Sequence, residues 1–383
     1  MPRTTKTKKV SPQELEKKFE ETAFRMIQEK SDFFLPQILD FVKQKQWINL
    51  RPEYQRRLVW DNKKRSLFIE SLLLNIPVPP IFLFEQELSR YEVMDGQQRI
   101  NAVTEFLDNG YELTGLDRWK ELKGLRYREL PEKIKRGLDR RRLAANVLVV
   151  ESSFSDDVQK DDIRRLVFER LNTGGLQLNA QELRNCLYSG RFNDAIIDLA
   201  RNQLFCKIWE IPQYDKNIDA ANNPSKTLAE NSLYKRMNDC ELVLRYFAFR
   251  KSPKGSVKRM LDNFMKENRN MNPSKVESEK GEFLNLLELA NKIFGENTFR
   301  YKAEDGQRKL SAPLYDAVMV GLHGLASNRD QLISSKSSIQ RELDKVMKDN
   351  ESQEVILGKP NTAKAITNRQ QMVLNAIKKG ARL

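Results

Sequence analysis

The stretch Tyr91-Glu92-Val93-Met94-Asp95-Gly96-Gln97-Gln98-Arg99-Ile100-Asn101-Ala102-Val103 decides how this chain is read. Tyr91–Met94 is too short for a buried helix and rich in β-formers, so it predicts a short strand. Asp95-Gly96 breaks that strand. Ile100, Val103 and Leu107 then recur at spacings of three and four, the stripe of an amphipathic helix. A glycine at a strand-to-helix turn lets backbone amides come close to a ligand, and the free N–H groups and positive dipole end of the new helix favour an anion. In that setting Arg99 can fork onto phosphate oxygens. Asp95 can hold Mg²⁺ through water or orient an attacking water, and Gln97 and Gln98 are neutral donors suited to phosphate or ribose. The same letters also suit a plain helix cap at Asp95 and a plain turn at Gly96.

Working outward, Ile81–Phe84 is a second short strand, joined to the first by a polar turn. Asp61 can cap a helix through Leu74 that ends at Asn75, before Pro77, Pro79 and Pro80. Ser11-Pro12-Gln13-Glu14 has the form of a capping box and predicts a helix to about Lys30, with another near Leu35–Gln46. Ala144–Val150 is an apolar run of strand length. Ile163, Leu166, Val167 and Leu171 mark a helix that stops at Gly174-Gly175, and Asn179 with Glu182 starts the next. From residue 191 onward no strand is expected: Leu242, Val243, Tyr246 and Phe247, then Phe283–Phe294 and Leu314–Leu322, all repeat at helical spacing. Glu210–Thr227 is polar and irregular and reads as a linker or a loop. Asp305-Gly306-Gln307-Arg308 repeats some letters of the key turn. Arg300, Lys302 and Glu304 precede it where a buried strand should be, so it reads as a surface turn.

The fold class is therefore α+β. A small α/β domain over 35–190 follows a basic start and helix over 1–34, and a mostly helical domain with a basic end occupies 191–383. A length of 383 residues suits two to three domains. With 39% hydrophobic and 31% charged residues there is enough apolar material for a core. Glycine and proline number only 16 and 14, which favours helix over an all-β fold.

Lys and Arg number 67 against 53 Asp and Glu, for a net charge of +14, and the excess is clustered. Residues 1–10 carry Arg3, Lys6, Lys8 and Lys9 with no acid, residues 117–142 hold eleven bases and five acids, and residues 359–383 hold six bases and no acid. Clustered cations are what a polyanion-binding face requires, although each segment alone also suits a solvated surface. Arg140, Arg141, Arg142, Lys378 and Lys379 are the DNA-contact candidates.

Three scattered cysteines and the lone His323 argue for a reducing, cytoplasmic setting. They speak against a disulfide framework, a Cys/His zinc site or a His-dependent nuclease within this chain. No apolar run approaches the roughly 18 residues of a membrane span, so no membrane partner is expected, and MPRTTKTKKV has no apolar core of a secretory signal. Neither a P-loop nor a G-x-G-x-x-G fingerprint occurs. Asp117, Glu121 and Lys123 only faintly follow a metal-dependent nuclease spacing, among charges with no strand to carry them.

Two further clusters flank the turn in sequence. Arg51-Pro52-Glu53-Tyr54-Gln55-Arg56-Arg57, with Trp60, suits stacking on a base and gripping phosphate, or a solvated loop over buried aromatics. Phe168-Glu169-Arg170-Leu171-Asn172-Thr173-Gly174-Gly175 offers a polar lip on a pocket, or an ordinary glycine helix end.

Taken together, RPEYQRRLVW (51–60), VMDGQQRINAV (93–103) and FERLNTGGLQLNAQELRN (168–185) resemble the N-terminal domain family of GmrSD-type modification-dependent restriction enzymes, with a weaker match extending to residue 250. The resemblance implies a ParB/sulfiredoxin-like fold and binding and hydrolysis of a nucleoside triphosphate with Mg²⁺, coupled in those enzymes to DNA cleavage by an HNH-type domain. Residue by residue it makes Asp95, Gly96, Gln97, Gln98 and Arg99 the nucleotide motif. Tyr54, Gln55 and Arg56 become its upstream partners and Asn172 its downstream one. In the related ParB proteins the equivalent region binds CTP phosphates. The nuclease domain has no counterpart here, so hydrolysis would persist while cutting is lost or falls to a separate nuclease subunit. The expected function is an NTP-hydrolysing component of a prokaryotic restriction or anti-phage system that also contacts DNA. The alternatives are a non-hydrolysing, nucleotide-switched DNA adaptor and a regulatory subunit that binds an acidic protein.

Overall fold

The computed structural model describes residues 11–22, 26–50, 60–150, 157–171, 178–219, 224–251, 253–303, 305–358 and 362–383. Two compact units divide between Gln177 and Leu178.

The first unit contains α1 (Pro12–Thr22), β1 (Met26–Phe34), α2 (Leu35–Lys43), β2 (Ile48–Asn49), α3 (Asn62–Leu73), β3 (Ile81–Glu87), β4 (Arg90–Asp95), α4 (Gln97–Leu107), α5 (Glu132–Asp139), β5 (Arg142–Val150) and α6 (Asp157–Leu171). Its sheet has the order β1-β5-β3-β4-β2. β3 runs parallel to β5 and antiparallel to β4, while β1 closes one edge antiparallel to β5. The register Ile81↔Ala145 and Leu83↔Val147 puts these four side chains on one face. There, with Val93 and Leu143, they bury against Leu35 and Ile38 of α2, Ile69 and Leu72 of α3, Ile100, Val103 and Phe106 of α4, and Leu138 of α5. Phe84, Met94 and Leu148 are buried on the opposite face, where α6 packs on β4. The α+β expectation holds.

Local capping explains several element starts. Ser11 and Glu14 form the expected reciprocal box, with Glu14 N–H donating to Ser11 Oγ at 3.2 Å and Ser11 N–H to Glu14 Oε2 at 2.9 Å. Asp61 Oδ1 accepts from Lys64 N–H at 2.8 Å, and α3 ends where Asn75 takes φ +57°. The predicted helix to Lys30 is corrected: α1 stops at Thr22 and Met26–Phe34 is a strand. Its letters, with Gln, Glu and Lys prominent, favour helix, but pairing along its whole length with apolar β5 overrides local propensity.

A buried carboxylate also shapes this unit. Glu70 of α3, 4% exposed, accepts the backbone N–H groups of Asp117, Arg118 and Trp119 at 3.1, 2.8 and 2.7 Å. Burial alone would raise its pKa, but the three amide donors outweigh that and hold it below the usual glutamate value. A depressed carboxylate adds stability above its unfolded pKa and loses it as the pH falls through the folded one. Glu70→Gln should therefore cost about 1–3 kcal/mol at pH 7 and flatten the acid limb of stability below about pH 4.5, as read by urea unfolding across pH.

The second unit is helical: α7 (Ala180–Leu187), α8 (Arg191–Ala200), α9 (Gln203–Ile208), α10 (Lys226–Glu230), α11 (Ser232–Lys235), α12 (Asn238–Phe249), α13 (Val257–Asn268) and α14 (Pro273–Phe294), then α15 (Ala312–His323), α16 (Arg329–Ser334), α17 (Lys336–Lys348), α18 (Asn350–Leu357) and α19 (Ala363–Ala381). Asn179 and Glu182 cap α7 as expected. The stripe Leu242, Val243, Tyr246 and Phe247 lies in the core. The absence of strands beyond 191 is corrected. β6 (Arg300–Lys302) pairs with β7 (Arg308–Leu310) across the predicted surface turn, where Gly306 takes φ +79°. This hairpin is exposed and charged, so it carries no apolar alternation to betray it. Of the stretch Glu210–Thr227, the described part up to Ser225 is irregular, with a 3₁₀ turn at Tyr214–Lys216 and a bridge from Ile218 to Pro224, and Lys226 and Thr227 already begin α10.

An alternating ionic chain runs through the unit. Arg184 of α7 reaches Asp262 of α13 at 2.7 Å and Glu241 of α12 at 2.9 Å. Arg245 lies 4.0 Å from Glu241 and forks onto both oxygens of Asp316 in α15.

Candidate functional site: the glycine turn between β4 and α4

β4 delivers Asp95 at its end, and Gly96 turns the chain with φ +96° and ψ 11° directly into α4. This turn is closed to side chains. A Cβ on Gly96 would lie 2.5 Å from Ile81 Cγ2 and 3.1 Å from Arg99 Nη2. Left-handed backbone costs a non-glycine residue about 1–2 kcal/mol, and the clash adds about 1–3 kcal/mol. Gly96→Ala should thus lower stability by about 2–5 kcal/mol in chemical denaturation.

Asp95 is not the cap of α4. Gly96 holds that position and no side chain caps the helix, so the first N–H groups of α4 keep their donor capacity. Asp95 instead pairs with Arg99, Oδ2 to Nη2 at 2.5 Å and one helical turn apart. The two are unequally buried, with the Arg99 side chain 12% exposed and that of Asp95 42%. The two charges expected to face a ligand thus face each other.

Gln97 is buried at 7% exposure, and Asn101, four residues on along the same face of α4, at 9%. Neither side-chain amide has a hydrogen-bond partner among the described residues. Sequence reading missed Asn101; the signal was its i+4 spacing from Gln97, beside the apolar stripe of Ile100, Val103 and Leu107. Gln98 Oε1 accepts from the backbone N–H of Trp60 at 3.4 Å. The residue that closes the upstream cluster therefore lies beside the turn. Tyr54, Gln55, Arg56 and Asn172 lie outside the described residues.

The DNA-contact candidates separate. Arg140 and Arg142 are exposed, with the Arg142 guanidinium 4.4 Å from the Phe34 ring centre. Arg141 is turned inward, donating from Nη2 to the Leu73 carbonyl at 2.9 Å. On α19 Lys378 is exposed, while Lys379 pairs with Glu342 at 3.0 Å.

For a divalent cation the donor set is sparse: among the described residues no three carboxylate, His or Cys side chains gather. Asp95 alone fits a Mg²⁺ that keeps water and phosphate oxygens as most of its ligands. No helix among the described residues is long and apolar enough to cross a membrane.

A short strand, a glycine turn that excludes a side chain and an uncapped helix start thus meet at one junction of an α+β domain. Residues 35–189 match the family model of the GmrSD restriction endonuclease, N-terminal domain. The match associates the chain with restriction or defence systems. No curated protein and no solved structure matches the chain.

Proposed function

We propose that the turn at Asp95–Arg99 binds a nucleoside triphosphate and that the chain is a nucleotide-hydrolysing, DNA-contacting component of a prokaryotic restriction or defence system, cytoplasmic and paired with a separate nuclease subunit. The observation that carries this reading is the guanidinium of Arg99, whose Nε is buried without a hydrogen-bond partner one turn into a helix that no side chain caps. A buried donor of that kind costs free energy unless a ligand or water satisfies it.

The Asp95–Arg99 pair fits an exchange. A terminal phosphate would take over the Arg99 guanidinium, and Asp95, released, would be free to hold a Mg²⁺ through water. The metal would supply charge neutralisation on the phosphates. The chain's own groups would orient them through the α4 amides, Gln97, Gln98 and Arg99. Tyr54, Gln55, Arg56 and Asn172 join the site by the family resemblance.

A second reading has its own support. The carboxylate at the turn is already engaged by Arg99, which leaves it poorly placed as a general base and suits a nucleotide-switched adaptor that binds without turnover. Phosphate release with Mg²⁺ and each NTP, with and without DNA, alongside equilibrium nucleotide binding, separates the two. Turnover abolished by Arg99→Ala in a folded protein supports the enzyme, and binding without turnover supports the switch. Neither binding nor turnover overturns both.

A further inference from the structure

Within 117–142 the structure sorts eleven bases into two groups. Four are committed to the protein. Arg126 pairs with Glu112 and donates to the Asn109 carbonyl. Lys135 donates to the Arg128 carbonyl and lies near Glu132, Arg136 pairs with Glu132, and Arg141 holds the Leu73 carbonyl. The other seven are Arg118, Lys120, Lys123, Arg128, Lys133, Arg140 and Arg142. All are exposed, and none forms an ion pair among the described residues.

Most of the segment's acids are used internally. Glu129 accepts the Arg126 N–H at 2.7 Å, Asp139 accepts the Tyr127 hydroxyl at 2.8 Å, and Glu132 takes Arg136. Only Asp117 and Glu121 stand exposed among the seven cations without such a bond. On α5 the exposed face carries Lys133 and Arg136, continued by Arg140 at the helix's C-cap, at spacings of three and four, opposite buried Leu138.

We infer that these seven side chains form a phosphate-tracking surface for duplex nucleic acid, reading backbone rather than bases. The chemistry around them selects that partner. No large hydrophobic side chain is exposed within 117–142, whereas a protein interface needs apolar anchors and membrane adsorption an apolar face. Phosphate contact needs cations alone. A single strand would call for aromatic platforms. Trp119 and Tyr127 are half-buried instead, with Tyr127 bonded to Asp139 and set edge-on to Phe106. The inference deepens the DNA part of the reading above and is independent of the triphosphate.

The test is fluorescence anisotropy of a labelled duplex of about 20 base pairs with the full chain, over a salt series and without nucleotide, following the counterion-release slope. The combined variant Arg118→Gln, Lys123→Gln, Lys133→Gln, Arg140→Gln should lower that slope by about three to four and weaken binding on the order of 100-fold at low salt. A control removes the same charge from exposed lysines of the second unit, Lys258→Gln, Lys302→Gln, Lys336→Gln and Lys348→Gln, and should bind near wild-type affinity. Equal loss in both variants, or an unchanged slope in the first, overturns the inference. So does competition by polyglutamate as effective as by unlabelled duplex, which would assign the surface to an acidic protein. A chain that hydrolyses no nucleotide still passes this assay, and one that fails it leaves the nucleotide site untouched.

Discussion

Replacing Asp316 with alanine is expected to destabilise the protein by about 3–5 kcal/mol. Asp316 is fully buried on α15 and takes the Arg245 fork at 3.0 Å on Oδ1 and 3.1 Å on Oδ2 from Nε, with Nη2 also on Oδ2. Arg245 is itself 8% exposed, and its nearest other carboxylate, Glu241, stands 4.0 Å away and already serves Arg184 at 2.9 Å. Arg369 of α19, fully buried, also bears electrostatically on Asp316. Truncation therefore leaves buried guanidinium charge short of its counter-ion, the costly half of breaking a buried pair. Removing both charges by Asp316→Leu with Arg245→Met should recover most of the loss, because a matched apolar pair is often no worse than the ionic one it replaces. Urea unfolding followed by far-ultraviolet circular dichroism reads both. A single variant within about 1 kcal/mol of wild type would mean that the ionic chain does not hold α12 and α15 together.

That ionic chain was invisible in the sequence, and the reason is physical. Arg184, Arg245 and Asp316 stand in helices where a charged residue ordinarily faces water. Only the packing of α7, α12, α13 and α15 brings them together. What could be read was local. Ser11, Asp61 and Asn179 announce helix starts because a cap closes within three residues of the chain. Gly96 announces the turn because no other residue accepts its backbone angle without strain. β1 went unread because its strand state comes from partners more than a hundred residues away, Met26↔Val150 to Phe34↔Arg142. β6 and β7 went unread because an exposed hairpin needs no apolar alternation. In the candidate site the residue types were legible and their pairing was not. Asp95 and Arg99 have the four-residue spacing of a helical ion pair, yet each was assigned to a ligand.

The pairing makes Arg99 the residue with the largest expected effect on activity. Under the exchange described above, Arg99→Ala should reduce turnover, or nucleotide affinity if the chain only switches, by about 10²–10³-fold, the scale of losing one preorganised charged donor. Asp95→Asn separates roles that the pair entangles. If Asp95 serves only to hold the Arg99 fork, the neutral amide frees that fork, and nucleotide binds as tightly or more tightly with unchanged Mg²⁺ dependence. If Asp95 takes up the metal, Asp95→Asn loses the Mg²⁺ dependence together with turnover while metal-free nucleotide binding persists. The double variant completes a cycle whose coupling energy measures the pair itself. Titration calorimetry with each NTP, with and without Mg²⁺, supplies all four corners. Wild-type affinity in a folded Arg99→Ala protein would remove the turn from nucleotide recognition and leave the ion pair a structural clasp between the end of β4 and the first turn of α4.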